Sequence, residues 1–169
     1  CMKRFVGIFL VVLLFAACKQ QPKQWFSAAP EIDLAKKVDD SFASGDWTAF
    51  RSTFADTAKI WVNTSWDQPS LSPDTLTAGY RTAREGMTEA KLTNSVYEMI
   101  VTDDGDHWVH RWGVWEAKLA NGKSTSWASN ASFLVSDGQI RIGAYIFNAL
   151  PNYLANQPEP PPAPAPAKK

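Results

Sequence analysis

Directly after residue 30, the chain has apolar residues at the spacing of an α-helix. One set follows a single helix face, with members three or four positions apart: Ile32, Ala35, Val38 and Phe42. Gly45 then indicates a helix end, and Asp46 is placed as the N-cap of a second short helix. Ser72-Pro73 predicts the start of a third helix, because serine caps a helix and proline suits its first turn. Its apolar residues continue in steps of three and four: Leu76, Tyr80, Ala83, Met87 and Ala90.

The period changes to that of β-strands after residue 91. Four segments are rich in β-branched and aromatic residues: 92–102, 106–119, 123–136 and 139–148. Short turn signals separate them: Asp103-Asp104-Gly105, Asn121-Gly122 and Asp137-Gly138. The last two favour type I′ turns, because their residues tolerate positive φ. The pattern therefore predicts an antiparallel meander of four strands, and Lys59–Val62 is an earlier strand-like run.

The two longest of these strands predict a curved sheet. A flat strand of about 14 residues would extend nearly 45 Å, which is too long for so small a domain. We therefore expect the strands to bend around the three helices, with a one-residue bulge at Gly113. With this bulge, the strand face that points inward carries Trp108, His110, Trp112, Trp115, Ala117 and Leu119. The outward face carries Val109, Arg111, Val114, Glu116 and Lys118.

The beginning of the chain has the pattern of a secretory signal. Lys3-Arg4 precede an apolar run over residues 5–17, which is too short to span a bilayer. Phe15-Ala16-Ala17-Cys18 resembles a bacterial lipobox, with phenylalanine where leucine is usual. The resemblance implies that Cys18 is lipidated and becomes the first residue of the mature protein. We expect a lipid-anchored protein of the bacterial cell envelope that faces the periplasm, and Lys19 favours the outer membrane.

The chain therefore divides into four predicted segments. Residues 1–17 are the lipoprotein signal, 18–30 a lipidated tether, 31–156 a folded domain and 157–169 a tail rich in proline and alanine. The tail composition favours polyproline II and cannot bury a core.

Composition narrows the functions that the domain can have. Residues 31–157 carry 11 lysine and arginine residues against 16 aspartate and glutamate residues, a net charge of −5. The pattern gives no basic face for nucleic acid. Once Cys18 carries lipid, the mature chain has no cysteine left for a disulfide, a thiolate nucleophile or a zinc site. No cofactor and no metal are predicted.

The order of these elements resembles that of the nuclear transport factor two superfamily and its SnoaL-like branch. The matching pieces are Ser44-Gly45-Asp46-Trp47, Phe54-Ala55-Asp56, Trp112-Gly113-Val114-Trp115, Phe133–Ile140 and Tyr145-Ile146-Phe147-Asn148. The resemblance covers residues 31–156 and implies an α+β cone, with three N-terminal helices packed in the concave face of a strongly bent antiparallel sheet. It also implies a pocket, which isomerases, polyketide cyclases, dehydratases and purely binding proteins of this fold use.

The resemblance also implies where an acid or base would lie in that pocket. The closing aspartate of the family is Asn148 here, the strand histidine is Ala131, and the isomerase base falls near Val62 or Asn63. Amide and alkyl side chains cannot exchange protons near neutral pH. We therefore expect no acid–base catalysis at these positions.

Other residues are candidates for a site, each with a structural alternative. His110 is either a pocket base or a hydrogen-bonded core residue. Asp67, in the loop after the first strand, is either a base or part of a turn, and Arg84 either reaches a carboxylate at the pocket rim or lies on a solvated helix face. The predicted ligand-binding set is Trp61, Trp66, Tyr80, Arg84, His110, Trp112, Trp127, Tyr145 and Asn148.

Three functions stay open at this point. The first is a membrane-anchored domain that binds a small apolar or aromatic ligand, or a partner, without catalysis. The second is an enzyme of isomerase, cyclase or dehydratase type that uses His110 with Asp67. The third is an assembly protein, a homodimer joined through the convex sheet face that bears Val109 and Val114, with a tail that recruits a partner.

Overall fold

The computed structural model of the protein describes residues 24–157. The predicted signal, Cys18 and residues 158–169 of the tail lie outside these residues. The elements in chain order are β1 Trp25–Phe26, α1 Pro30–Ser44, α2 Trp47–Ser52, β2 Phe54–Val62, α3 Pro73–Glu85, β3 Met87–Val101, β4 His107–Leu119, β5 Ser124–Ser136, β6 Gln139–Phe147 and α4 Leu150–Ala155.

The helix ends follow local signals in the sequence. Gly45 ends α1 with φ of +76°, in the left-handed region that favours glycine. The side chain of Asp46 accepts a hydrogen bond from the Ala49 amide at 2.9 Å, and Ser72 Oγ accepts one from the Thr75 amide at 3.1 Å. The predicted N-caps are therefore confirmed. The third helix is shorter than predicted, because Met87 already pairs with β4 as the first residue of β3.

The six strands form one strongly curled mixed sheet in the order β1-β3-β4-β5-β6-β2. The predicted antiparallel meander is present as β3 to β6. β2 lies parallel to β6, which the prediction of an antiparallel sheet did not include. β1 pairs with β3 in the segment that was predicted to be tether. There Trp25 Nε1 donates to Glu98 at 2.6 Å, so the folded domain begins before residue 31.

The predicted bulge at Gly113 is wrong, and its correction reverses the two faces of β4 before Gly113, whereas Trp115, Ala117 and Leu119 face inward as predicted. β4 pairs with β5 without a break, so its inward positions alternate strictly from Val109 to Leu119. The irregularity lies in β3, between Thr93 and Val96. Gly113 lies beside it, where an added Cβ would meet Leu92 Cδ1 at 2.8 Å. The close approach of β3, and not a bulge in β4, explains this glycine.

The unbroken alternation along β4 places different residues of its first half in the core from those predicted. Val109 and Arg111 point inward and are buried, whereas Trp108, His110 and Trp112 lie on the outer, convex face. The predicted dimer surface therefore lacks Val109.

The core fills the space between the helices and the concave side of the sheet. α1 packs against β3 and β4, and α3 packs against β2 and β3. Aromatic rings form its centre: Phe42, Phe50, Phe54, Tyr80, Trp115 and Tyr145. Within residues 24–157, no helix is long and apolar enough to cross a membrane.

Candidate functional site

A cavity of ≈ 100 Å³ lies between α1, α3 and the concave sheet. Seven aromatic side chains line it: Phe42, Phe50, Tyr80, Trp115, Trp127, Tyr145 and Phe147. The short helix α4 borders it through Ala149 and Asn152. The polar side chains in this wall are Asp39, Arg111, Ser129, Asn152 and the two tyrosines.

A buried ion pair joins α1 to the sheet beside this cavity. Arg111 binds Asp39 with two bonds, Nε to Oδ2 at 3.1 Å and Nη2 to Oδ1 at 3.0 Å. The two side chains are only 1% and 5% exposed. Arg111 Nη1 also donates to the backbone oxygen and the hydroxyl of Ser129, at 3.0 and 2.9 Å. The Tyr97 hydroxyl donates to Asp39 Oδ2 at 2.8 Å.

These contacts decide what the Asp39 carboxyl can do. Burial raises the pKa of Asp39 above its ordinary value, while the charge of Arg111 and the hydrogen bonds from Tyr97 and Arg111 act in the opposite direction. Both carboxyl oxygens are already engaged by Arg111, and one of them also by Tyr97. The fork of a guanidinium matches a carboxylate in this arrangement. The pair therefore fixes α1 on the sheet, and three hydrogen bonds from Arg111 and Tyr97 already engage both oxygens of the Asp39 carboxyl.

Tyr145 contributes a buried hydroxyl that has no hydrogen-bond partner among the described residues. Its side chain lies on β6, faces the cavity and is 4% exposed. Its ring packs edge-on against Tyr80, with 5.6 Å between the ring centroids. Burial raises the pKa of both tyrosines well above the ordinary value. Both hydroxyls are therefore neutral at physiological pH, and that of Tyr145 is free to bond to a ligand.

Three of the predicted ligand-binding residues line this cavity: Tyr80, Trp127 and Tyr145. Trp61 and Trp66 pack against each other outside it, with 4.7 Å between the ring centroids and 49° between the ring planes. Trp112 lies on the outer sheet face and is 41% exposed. The predicted aromatic set is therefore divided between the two sides of the sheet.

The two predicted catalytic candidates lie away from the cavity. His110 is on the outer face, where its Nδ1 and the Ser132 hydroxyl are 2.9 Å apart. Asp67 is exposed in the loop between β2 and α3 and holds a hydrogen bond from Ser65. The prediction that His110 faces the pocket is wrong, because it depended on the bulge at Gly113. The structure does not place His110 and Asp67 together in the cavity.

The other predicted polar residues have structural contacts. Arg84 Nη2 donates to the Ala43 backbone oxygen at 3.0 Å, which holds the end of α1 against α3. Asn148 accepts a hydrogen bond from the Leu150 amide at 3.1 Å and so orders the first turn of α4. Ala131 is buried in β5, and Val62 is half-buried at the end of β2.

The sequence reasoning missed Asp39 and Arg111, the two charged groups of the site. Asp39 follows Val38 and precedes Phe42 by three residues, so the helical period places it on the apolar face of α1. A carboxylate at such a position indicates a buried partner. Unbroken alternation along β4 would have supplied that partner, because it places Arg111 between Val109 and Gly113 on the inner face.

The sequence itself matches no protein-family model and no curated protein. Solved structures of low sequence identity nevertheless share its architecture.

A candidate polyketide cyclase from Xanthomonas campestris pv. campestris is 20% identical with a TM-score of 0.59, over 75% of this chain and 96% of that one. A candidate SnoaL-like polyketide cyclase from Shewanella denitrificans is 11% identical with a TM-score of 0.57, over 76% of this chain and 97% of that one. A nuclear transport factor two-like protein from Anabaena variabilis is 15% identical with a TM-score of 0.55, over 70% and 90% of the two chains. Residues 24–157 therefore form a domain with the cone-shaped α+β fold of the SnoaL-like and nuclear transport factor two-like proteins.

Proposed function

We propose that this protein is a lipid-anchored, periplasm-facing domain that binds a small, mostly apolar ligand in its cavity without catalysing a reaction. The observation that carries the proposal is the Tyr145 hydroxyl, which is buried in an aromatic wall with no partner among the described residues. An unpaired buried hydroxyl costs about 1–3 kcal/mol. A ligand that offers one carbonyl or hydroxyl oxygen at this point would remove that cost.

The size and polarity of the cavity limit the class of ligand. A dry cavity of about 150 Å³ accommodates benzene, and this cavity is ≈ 100 Å³. Without rearrangement the cavity therefore holds a ligand of at most about one ring. A larger ligand requires displacement of α4, none of whose side chains is buried.

The absence of catalysis is proposed from the chemistry of the groups in the cavity wall. General acid–base catalysis needs a group that can reach the reacting proton and has a pKa near the working pH. Asp39 is the only carboxylate in the described wall, and Arg111 and Tyr97 occupy it. The family positions Asn148, Ala131 and Val62 carry no group that titrates near neutral pH.

An enzyme of cyclase, isomerase or dehydratase type is the second candidate. Its support is the fold itself, since two of the neighbours described above are candidate polyketide cyclases. An enzyme that uses His110 with Asp67 is not supported, because both residues lie away from the cavity. An enzyme would instead use the neutral Tyr145 hydroxyl, together with an Asp39 that exchanged its bond to Tyr97 for one to the substrate.

Extraction of the native protein tests the proposal directly. The full chain is purified from its own membrane in mild detergent and denatured, and the extract is searched by mass spectrometry for a retained small molecule. We expect such a molecule, and we expect Tyr145→Phe to retain less of it. Tyr153→Phe is the matched control, because Tyr153 is 62% exposed on α4.

Two results would contradict binding without catalysis. One is retention that does not differ between Tyr145→Phe and Tyr153→Phe. The other is turnover of a cyclic ketone or polyketide substrate that Asp39→Asn abolishes while the variant stays folded, which would promote the enzyme candidate.

A further inference from the structure

The outer face of the sheet carries a continuous group of aromatic side chains, which we call the tryptophan face: Trp25, Trp66, Trp108, His110 and Trp112. The ring centroids of Trp66 and Trp108 are 6.4 Å apart, those of Trp108 and His110 6.5 Å, and those of His110 and Trp112 6.1 Å. Trp25 on β1 pairs with Ile100, which in turn pairs with Trp108. The group therefore extends from the edge strand β1 across the convex side.

This face is exposed to an extent that a folded domain rarely leaves without use. Trp25 is 49% exposed, Trp66 55% and Trp112 41%. Apolar side chains continue the patch beside them, with Val96 57% and Ile146 64% exposed. Contiguous exposed apolar surface marks a binding surface for a protein or a membrane. The helices α1 and α3 pack on the opposite, concave side of the sheet.

We propose that the tryptophan face rests in the interfacial layer of the lipid bilayer that holds the chain. The proposal depends on acylation of Cys18, and it goes beyond ligand binding in the cavity. Trp25 lies seven positions after Cys18, a distance of at most about 25 Å when the chain is fully extended. The first residues of the domain after the anchor are thus part of this face. The face is held within reach of the bilayer surface.

The side chains on this face suit that layer. Tryptophan is enriched at membrane–water interfaces, because its ring is apolar while its indole N–H still needs a polar partner. One such N–H is already satisfied, since Trp25 Nε1 donates to Glu98. The curled sheet presents the rings on its convex side, from which they can enter a soft surface without a matching cleft.

The charges around the face distinguish this mode of binding from electrostatic attraction. Acidic residues lie close to it: Glu98 pairs with His110 and accepts a hydrogen bond from Trp25, Asp67 follows Trp66 in the chain, and Asp106 lies two positions before Trp108. Attraction of a basic patch to anionic lipid is therefore not the cause of binding. We expect the face to dock on zwitterionic lipid, with no gain from anionic lipid and little dependence on salt.

Fluorescence quenching by brominated lipid tests this arrangement. The acylated full chain is reconstituted into phosphatidylcholine vesicles whose acyl chains carry bromine, and tryptophan emission is compared with that in unbrominated vesicles. We expect a fall in emission that becomes smaller in Trp112→Phe and in Trp66→Phe. Trp115→Phe is the matched control, because Trp115 lies three positions from Trp112, faces inward and is 5% exposed. Its loss should leave the quenched emission unchanged.

Several results would overturn the proposal. If the mass of the mature chain shows no acyl groups, the premise that Cys18 is acylated is wrong, while the proposal of ligand binding in the cavity is unaffected. Quenching that is absent, or equal in Trp112→Phe and Trp115→Phe, shows that the face does not contact lipid. A Trp112→Cys variant that cross-links to a second copy in vesicles shows that another protomer covers the face. Cross-linking of that cysteine to residues 158–169 of its own chain would assign the face to the tail.

Discussion

Tyr145 is a residue whose hydroxyl has opposite effects on stability and on binding. Without ligand, the buried hydroxyl has no partner among the described residues, and its desolvation opposes folding. With ligand, the same hydroxyl would supply a directional contact in an aromatic wall. A hydroxyl that served only the fold would be paired within the protein.

We therefore expect Tyr145→Phe to raise the free energy of unfolding of the ligand-free protein by about 1 kcal/mol while weakening ligand retention. The measurement is chemical denaturation of the stripped protein, beside retention by mass spectrometry. Tyr153→Phe, on the exposed side of α4, should change neither quantity. A stripped Tyr145→Phe protein that is clearly less stable than the wild type would show that the hydroxyl has a structural partner.

Arg111 and Asp39 form a buried ion pair in which each charge compensates the other. Removing one partner of a buried ion pair leaves an unpaired buried charge and costs about 3–5 kcal/mol. We expect that loss for Arg111→Met at neutral pH, measured by denaturation. Arg141→Met is the control, because Arg141 and its partner Asp137 are 37% and 80% exposed, and such a surface pair contributes about 0–1 kcal/mol.

The sign of the pH dependence follows from the pKa of Asp39. Burial raises that pKa, and Arg111 opposes the rise. In Arg111→Met the folded state therefore binds a proton more tightly than the unfolded state does. The stability of the variant falls as pH rises above the ordinary carboxyl pKa. The deficit relative to wild type should shrink toward acidic pH, and a deficit that is constant with pH would contradict the assignment.

At the scale of elements, the sequence predicted what is set locally. The alternation in 106–119 and 123–136 and the turn residues between strands placed β4 and β5 to within one residue. The caps at Asp46 and Ser72 fixed the starts of α2 and α3. Such signals depend on neighbours a few positions away, so a single sequence contains them.

The parts that could not be predicted depend on residues far apart in the chain. The irregularity in β3 is defined only by its pairing with β4, and the parallel pairing of β2 joins strands at opposite ends of the domain. Asp39 and Arg111 are 72 positions apart. The single error at Gly113 exchanged the inner and outer faces of β4 before that residue, and with them Arg111 and His110.

The helix α4 is the element that we expect to control access to the cavity. It has no buried residue, and Leu150, Tyr153 and Leu154 are 56–62% exposed. An element with so little burial opens at low free energy. The amides of residues 152–155 should therefore exchange hydrogen faster than those of α1, and bound ligand should slow them. Equal protection of the two helices would contradict this role.

At the scale of the whole molecule, the anchor and the tryptophan face would act together. A lipid anchor gains about 0.8 kcal/mol per buried methylene, and stable attachment takes more than one signal. A domain held by acyl chains at Cys18 and by indoles on its convex side would present α4 and the cavity mouth away from the bilayer. That orientation would leave the cavity open to ligands from the periplasm.

We expect Cys18→Ser to move most of the protein out of the membrane fraction or to block its processing, because the face alone provides one weak signal. Adding Trp66→Gln and Trp112→Gln to that variant should release the remainder, while Trp115→Phe added in their place should not. The measurement is the membrane-bound fraction together with the mass of the mature chain. A Cys18→Ser protein with unchanged mass and unchanged membrane fraction would show that the cysteine is not the anchor.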